Sequence, residues 1–215
     1  NMSKVWLSPE TPSVNRAPML NIQHENAISL DGIWNFELVD SPEASPSGKW
    51  KQIPVPGLWT MIDGAQPFGD APIYTNTQMP WDLLPPTIPA ANPTGHYNRE
   101  FTLPESFKGK RIMLQLGAAE SVAIIYINGQ EVGVAKDSHL ASDFDITNFL
   151  KKDSSNNKVG IKVVKWSDAT YIEDQDQWWH GGISRSVFLY ATEKVFIERL
   201  YATPTLNRDN KTGHL

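Results

Sequence analysis

The sequence predicts an all-β sandwich, and three observations carry that prediction. Apolar and polar residues alternate in short runs, the mark of half-buried strands. No long stretch keeps the 3.6-residue period of an amphipathic helix. Proline (16) outnumbers glycine (14) in the 215 residues, and proline breaks helices while suiting loops and sheet edges. A chain of this length can bury a full core. Hydrophobic residues at 40% beside charged residues at 20% exclude a disordered chain.

Residues 1–28 read as an extended N-terminal segment, in which Asn1 looks like a remnant of tag removal ahead of Met2. The first strand follows, with Trp34, Phe36 and Leu38 on one face and Asn35, Glu37 and Val39 on the other. Residues 97–103 alternate in the same way, and Ile112, Leu114 and Leu116 oppose Arg111, Met113 and Gln115. Residues 122–127 and 130–135 flank Asn128-Gly129. That dipeptide between apolar runs predicts a tight hairpin, because both residues tolerate positive φ. Residues 145–150 read as a single helical turn capped by Asp145. Val159, Ile161 and Val163 predict the next strand, and 183–190 another. The run 194–202 also reads as a strand, leading into a turn signal at Asn207 to Gly213. The sequence ends just where a return strand is due. Residues 193–215 are therefore expected to be an exit strand and the start of a truncated following domain, and the chain a fragment of a longer protein.

Two stretches do not read as strands: the proline-rich 54–95 and the acid- and tryptophan-rich 166–182. Loops longer than ~15 residues in a compact domain are commonly functional or disordered, and the aromatic content favours function. Trp34 and Trp166 are placed in the core by their strands, whereas Trp59 and Trp81 read as surface or cleft aromatics.

Charge and composition narrow the chemistry. Lys and Arg number 19 against 24 Asp and Glu, a net charge of −5, which argues against nucleic-acid and membrane-surface partners. The absence of cysteine excludes a disulfide scaffold, a thiol nucleophile and a cysteine zinc site. No apolar run approaches the ~20 residues of a membrane-spanning helix. A soluble protein is expected, cytoplasmic or periplasmic. The histidines at 24, 96, 139, 180 and 214 are scattered, and neither a Gly-x-Ser-x-Gly elbow nor a phosphate-cradling glycine loop occurs.

The second loop gathers Asp168, Glu173, Asp174 and Asp176 beside Trp178 and Trp179. Carboxylates on one loop accept hydrogen bonds from sugar hydroxyls or ligate a hard cation. Composition alone equally describes a solvated acidic loop. Glu173 and Asp176 are a conceivable pair for glycoside hydrolysis, but nothing in the sequence supplies the apolar pocket that raises a carboxyl pKa. His180 reads as a polar residue closing the loop before Gly181-Gly182.

The motifs in order resemble one family. Leu30-Asp31-Gly32-Ile33-Trp34-Asn35-Phe36 is similar to the opening strand of the sugar-binding domain of family 2 glycoside hydrolases. Asp70-Ala71-Pro72-Ile73-Tyr74-Thr75-Asn76, Asn92-Pro93-Thr94-Gly95-His96-Tyr97 and Tyr171-Ile172-Glu173-Asp174-Gln175-Asp176 resemble its β-galactosidase branch. So does Gly182-Ile183-Ser184-Arg185. The resemblance implies a jelly-roll, galactose-binding-like sandwich over 29–192, standing before an immunoglobulin-like domain and a catalytic barrel. The barrel would carry the acid/base and nucleophile glutamates of a retaining β-galactosidase, so no catalytic residue is expected in this chain.

By the same resemblance, Asn76 and Asp176 would bind the galactosyl group, and Asp176 would also ligate a sodium ion. The intact enzyme would in addition use magnesium, and neither ion is expected to be held tightly by this chain alone. The implied partners are a β-galactoside, the remaining domains of the same polypeptide, and further copies in a homo-oligomer. The run Gln177-Trp178-Trp179-His180-Gly181-Gly182 departs from the family's less aromatic pattern. Two rival readings remain: an autonomous carbohydrate-binding module, and a structural domain whose long loops are exposed until they dock on neighbours.

Overall fold

The computed structural model describes residues 4–9, 12–18, 24–62, 68–74, 79–151, 156–173, 176–198, 200–208 and 211–214. Among these residues there are strands and short 3-10 turns but no α-helix. Two antiparallel sheets pack face to face as a jelly-roll sandwich. The large sheet runs Ser13–Val14, Gln130–Ala135, Val122–Ile127, Asn157–Val164, Thr94–Phe101, Gly32–Val39 and Lys51–Val55. The small sheet runs Ser142–Asp145, Arg111–Leu116, Val187–Thr192 and Ile28–Ser29.

The period-two pattern does what it predicts. Trp34 and Phe36 are buried and Ile33 beside them is 57% exposed. Ile112, Leu114 and Leu116 meet Trp34, Phe36, Ile125 and Ile161 in one core. The Asn128-Gly129 hairpin forms with φ of 52° and 81°, the twist a two-residue connection between right-twisted strands requires. The Asn128 side chain then donates to the Phe149 carbonyl and to Asn157 Oδ1, both at 2.9 Å. The helical turn is 3-10, Thr147–Phe149, and Asp145 Oδ1 accepts the Thr147 amide at 3.0 Å.

Three expectations need correction. The strand predicted over 183–190 is two strands: Gly182–Ile183 joins a small three-stranded ribbon, and Val187–Thr192 joins the small sheet. The chain changes sheets between them, as sandwich corners do. The strand predicted over 194–202 is absent among its described residues. Val195 and Ile197 are 92% and 82% exposed, and β-propensity without a partner ladder or a buried face makes no strand. Beyond it, Thr205–Asn207 pairs antiparallel with a return arm, Thr212–His214. Finally, Trp59 is not a surface aromatic but fully buried in the main core.

The strand Val122–Ile127 is apolar on both faces, and both faces are covered. Ala123, Ile125 and Ile127 point into the sandwich. Val122 and Ile124 join Val134, Val164, Trp166, Trp179, Val5 and Trp6 in a second cluster. That second cluster is where the two long loops are laid down.

Candidate functional site

The loop 166–182 is anchored at its entry. Asn92 binds the Trp166 backbone twice, its Nδ2 donating to the carbonyl and its Oδ1 accepting the amide, both at 2.8 Å. This joins the two long loops to each other. Ser167 and Thr170 form a capping box that starts the 3-10 turn Asp168–Tyr171. Asp168 turns inward, where its carboxylate pairs with the buried ammonium of Lys136. The Tyr171 hydroxyl donates to the Thr87 carbonyl at 2.5 Å, with the Leu83 carbonyl 3.1 Å away, and accepts from Trp81 Nε1 at 2.8 Å.

The middle of the loop is clamped by residues 138 and 139. Glu173 accepts the Ser138 amide at 3.0 Å and the Ser138 hydroxyl at 2.5 Å. Gln177 Nε2 lies 3.1 Å from His139 Nε2. Burial pushes the Glu173 carboxyl above the usual range, against the pull of the Ser138 hydrogen bonds. Glu120 is raised by burial too, while accepting the His180 amide at 3.1 Å. Burial raises both carboxyls, yet the cleft around them is lined mainly by polar side chains, among them Ser138, His139, Lys165 and Gln177, and is not an apolar pocket. Glu173 is turned to Ser138, whereas Asp176 is exposed and turned to Tyr74.

Asp176 is held on the surface by a short two-stranded pairing. Ile73–Tyr74 pairs antiparallel with Trp178–Trp179, with Tyr74 opposite Trp178 and Ile73 opposite Trp179. The Tyr74 hydroxyl donates to Asp176 Oδ1 at 3.0 Å. Asp176 Oδ2 takes no hydrogen bond from a described residue, so one carboxylate oxygen is oriented and the other is open. Asn76, the second residue expected to bind a galactosyl group, lies outside the described residues, as do Asp174 and Gln175.

The loop's exit is packed against the main core. Gly181 lies flat on the Trp59 indole, where an added Cβ would come within 2.1 Å of Cζ2. The Trp59 Nε1 donates to Asp70 Oδ2 at 2.7 Å. Asp70 in turn receives Lys165 Nζ on both oxygens at 2.8 Å. Burial lowers the Lys165 pKa, and the hydrogen bond and charge of Asp70 oppose that shift. His180 Nδ1 lies 3.0 Å from the Thr60 hydroxyl, so the histidine closes the loop as its position suggested. Trp81 is half-buried between the loops, stacked on Trp179 at 6.2 Å and edge-on to Trp166 at 4.9 Å.

Sequence reasoning missed Tyr74, Ser138 and Glu120 as parts of this site. Tyr74 was within reach: it lies inside a quoted motif, two residues before Asn76. Among the described residues, no three His, Asp or Glu side chains gather as a complete metal site would need. An exposed, half-open carboxylate is a suitable oxygen donor to a hard cation, and this chain would then contribute only part of the ligand set. No helix among the described residues is long and apolar enough to cross a membrane.

Comparison with known proteins places this geometry. The family model described as "Glycosyl hydrolases family 2, sugar binding domain" matches residues 27–193. The beta-galactosidase of Vibrio cholerae serotype O1 is 38% identical over 191 residues, covering 85% of this chain and 18% of that protein. That of Photobacterium profundum is 35% identical over 201 residues, covering 89% and 19%. The chain thus spans about a fifth of the length of these curated relatives. Among solved structures, a Bacteroides uniformis beta-glucuronidase aligns with a TM-score of 0.56 at 27% identity, over 78% of this chain and 18% of that one. A beta-glucuronidase from an uncultured Clostridium sp. shares the fold with a TM-score of 0.60 at 20% identity, over 89% and 34%. The chain belongs to the sugar-binding domain family of the family 2 glycosyl hydrolases.

Proposed function

We propose that this chain is the sugar-binding domain of a retaining β-galactosidase. It positions the galactosyl group of a terminal β-galactoside at the active site of a catalytic barrel carried elsewhere in the polypeptide. The observation that carries the reading is Asp176: an exposed carboxylate, one oxygen oriented by Tyr74 and the other open, on a loop clamped at Ser138 and His139. Relatives that match most of this chain are beta-galactosidases, which favours a galactosyl hydroxyl as the group it binds. Asn76 would add an amide that both donates and accepts. A sodium ion beside the sugar would take Asp176 as one ligand, with the others coming from outside the described residues.

Holding a substrate in register contributes to rate without any reacting group in the holder. The 215-residue chain is therefore expected to leave a chromogenic β-galactoside at the buffer rate and to bind galactose weakly. Turnover that disappears on replacing Glu173 or Asp176 would overturn the reading and restore a local carboxylate pair. Tight stoichiometric galactose binding by calorimetry would instead identify an autonomous carbohydrate-binding module. The proline-rich stretch is mixed with respect to the structural-domain reading: Trp59, Ile88 and Asn92 are buried, whereas residues 82–87 are exposed.

A further inference from the structure

The face of the large sheet turned away from the sandwich core carries a second covering besides the loops that hold Asp176. Residues 40–49 are fastened to it by three side chains. Glu37 accepts the Ser47 amide at 2.6 Å and the Gly48 amide at 3.0 Å. The Lys162 ammonium donates to the Pro42 carbonyl, and His96 is hydrogen-bonded to the Ala44 backbone. This covering ends at Trp50, which is 40% exposed. A cavity of about 190 Å³ opens beside it, lined by Trp50, Tyr126, Gly160, Lys158 and Gly129. It lies toward the Asn128-Gly129 hairpin, whereas the loops that carry Asp176 cover the Val122 and Val164 ends of the same strands.

Gly160 forms the floor, directly across the ladder from Tyr126, and the fold does not require a glycine there. Its backbone is not left-handed, and an added Cβ would make only ordinary contacts, 3.5 Å to Tyr126 Cβ and 3.7 Å to the Tyr97 carbonyl oxygen. A glycine inside a strand weakens it and often marks a place where another molecule approaches closely. Here the missing side chain leaves a flat floor between two aromatic walls. The charges nearby are balanced: Lys158 stands opposite Glu100 in the ladder, and Lys162 lies near Glu43 and Glu131. His96 Nε2 is buried without a partner among the described residues. With its other nitrogen on the backbone, a neutral imidazole offers Nε2 as an acceptor. Aromatic walls, balanced charge and an unused acceptor suit an uncharged ligand with weakly positive C–H faces and hydroxyl donors, which describes a pyranose. We propose that this groove is a second glycan-binding site, separate from Asp176, holding one ring of a neutral oligosaccharide between Trp50 and Tyr126 over Gly160. Its volume is below the ~300–1,000 Å³ of sites that enclose a whole ligand, so the rest of the sugar chain would stay in solvent.

The test is NMR on the full 15N-labelled 215-residue chain, which has eight tryptophan indole signals. The Trp50 signal is assigned by its loss in Trp50→Phe, and the Gly160 amide is followed with it. The probes are β-1,4-galactotriose, cellotriose, a hexaproline peptide and sodium sulfate. At least one trisaccharide is expected to move both signals to saturation, with the peptide and sulfate moving neither. Gly160→Ala raises the floor by one methyl group and should weaken that sugar about tenfold, as should Trp50→Ala. Gly160→Ala should melt no lower than the wild type, because alanine suits a strand better than glycine, so lost binding is not lost folding. Asp176→Ala should leave the response unchanged, which keeps this site distinct from the galactosyl one. Signals unmoved by both sugars, or sugar binding unaltered in either groove variant, would overturn the proposal. So would a response abolished by Asp176→Ala, which would put the sugar at the other site. Movement by hexaproline or by sulfate in place of the sugars would overturn it too, in favour of a peptide groove or an anion site.

Discussion

The two faces of the large sheet are covered in different ways. The inner face meets a second sheet, and its core is made of aliphatic and phenyl side chains with Trp34 and Trp59. The outer face, over Val122, Ile124, Val134 and Val164, is covered by loops that bring Trp81, Trp166 and Trp179. Inside, ladders satisfy the strand backbone, and the side chains chiefly fill space, with the Trp34 and Trp59 indoles donating to the Leu30 carbonyl and to Asp70. Outside, irregular backbone must find other partners, so polar tips do much of the joining: Asn92 on the Trp166 backbone, Tyr171 on residues 83 and 87, Ser138 on Glu173. The regular core holds the domain together, while a small number of side-chain hydrogen bonds sets the shape of the site.

The sharpest way to break that contrast is to empty each region in turn. Phe36 is fully buried and touches Phe68 and Tyr97 at 4.7 Å between ring centres. Phe36→Ala should cost about 3–5 kcal/mol and lower the urea midpoint of the whole chain. Trp81→Ala removes a half-buried ring from the outer layer, together with its hydrogen bond to Tyr171. About 1–3 kcal/mol is expected. Its mark should be local: faster amide exchange over 166–182, with the Val122–Ile127 amides still protected. Equal loss of protection in both places would show that loops and sandwich unfold as one unit.

A smaller perturbation addresses the clamp alone. Ser138→Ala deletes the hydroxyl bonded to Glu173 and keeps the backbone donor. About 1 kcal/mol is expected, with increased exchange around residue 173 and none in the sandwich. A stability change as large as that of Phe36→Ala would mean that the carboxylate supports the fold rather than the loop.

What was legible in the sequence follows the same division. Trp34, Phe36 and Leu38 announced a strand because a regular sheet repeats every second residue. Asn128-Gly129 announced its hairpin because the backbone geometry is local. Trp59 was misread because its neighbours in sequence are loop residues. Its burial depends on Gly181, whose missing Cβ lets the returning loop lie on the indole. The clamp on Glu173 was invisible because the residue that binds its carboxylate, Ser138, is 35 positions away. The two strands within 183–190 share one apolar pattern, and only the third dimension separates the sheets they serve. The run 194–202 carried strand propensity with no edge to pair with.

The smallest effect is a net one, because buried histidines and buried carboxyls respond to acid with opposite signs. In the large sheet, burial and the nearby charge of Lys162 lower the His96 pKa to about 4 from 6.5. Between those values the unfolded chain binds a proton that the folded chain refuses, so stability falls as pH drops from 6.5 to about 4. Under the loops, Glu120 and Glu173 are raised above 4.5 by burial. There the folded chain binds protons first, so their share of stability grows as pH falls through the raised values and is complete below 4.5. That opposition sets the net acid response of the wild type. Each variant should unbalance it. His96→Gln should lose less stability on acidification than the wild type, and Glu173→Gln should lose more. Melting curves at pH 6.5, 5.5 and 4.5 for the three chains decide it. Parallel shifts in all three would show that neither group titrates differently in the folded state, and the opposition between His96 and Glu173 would fail.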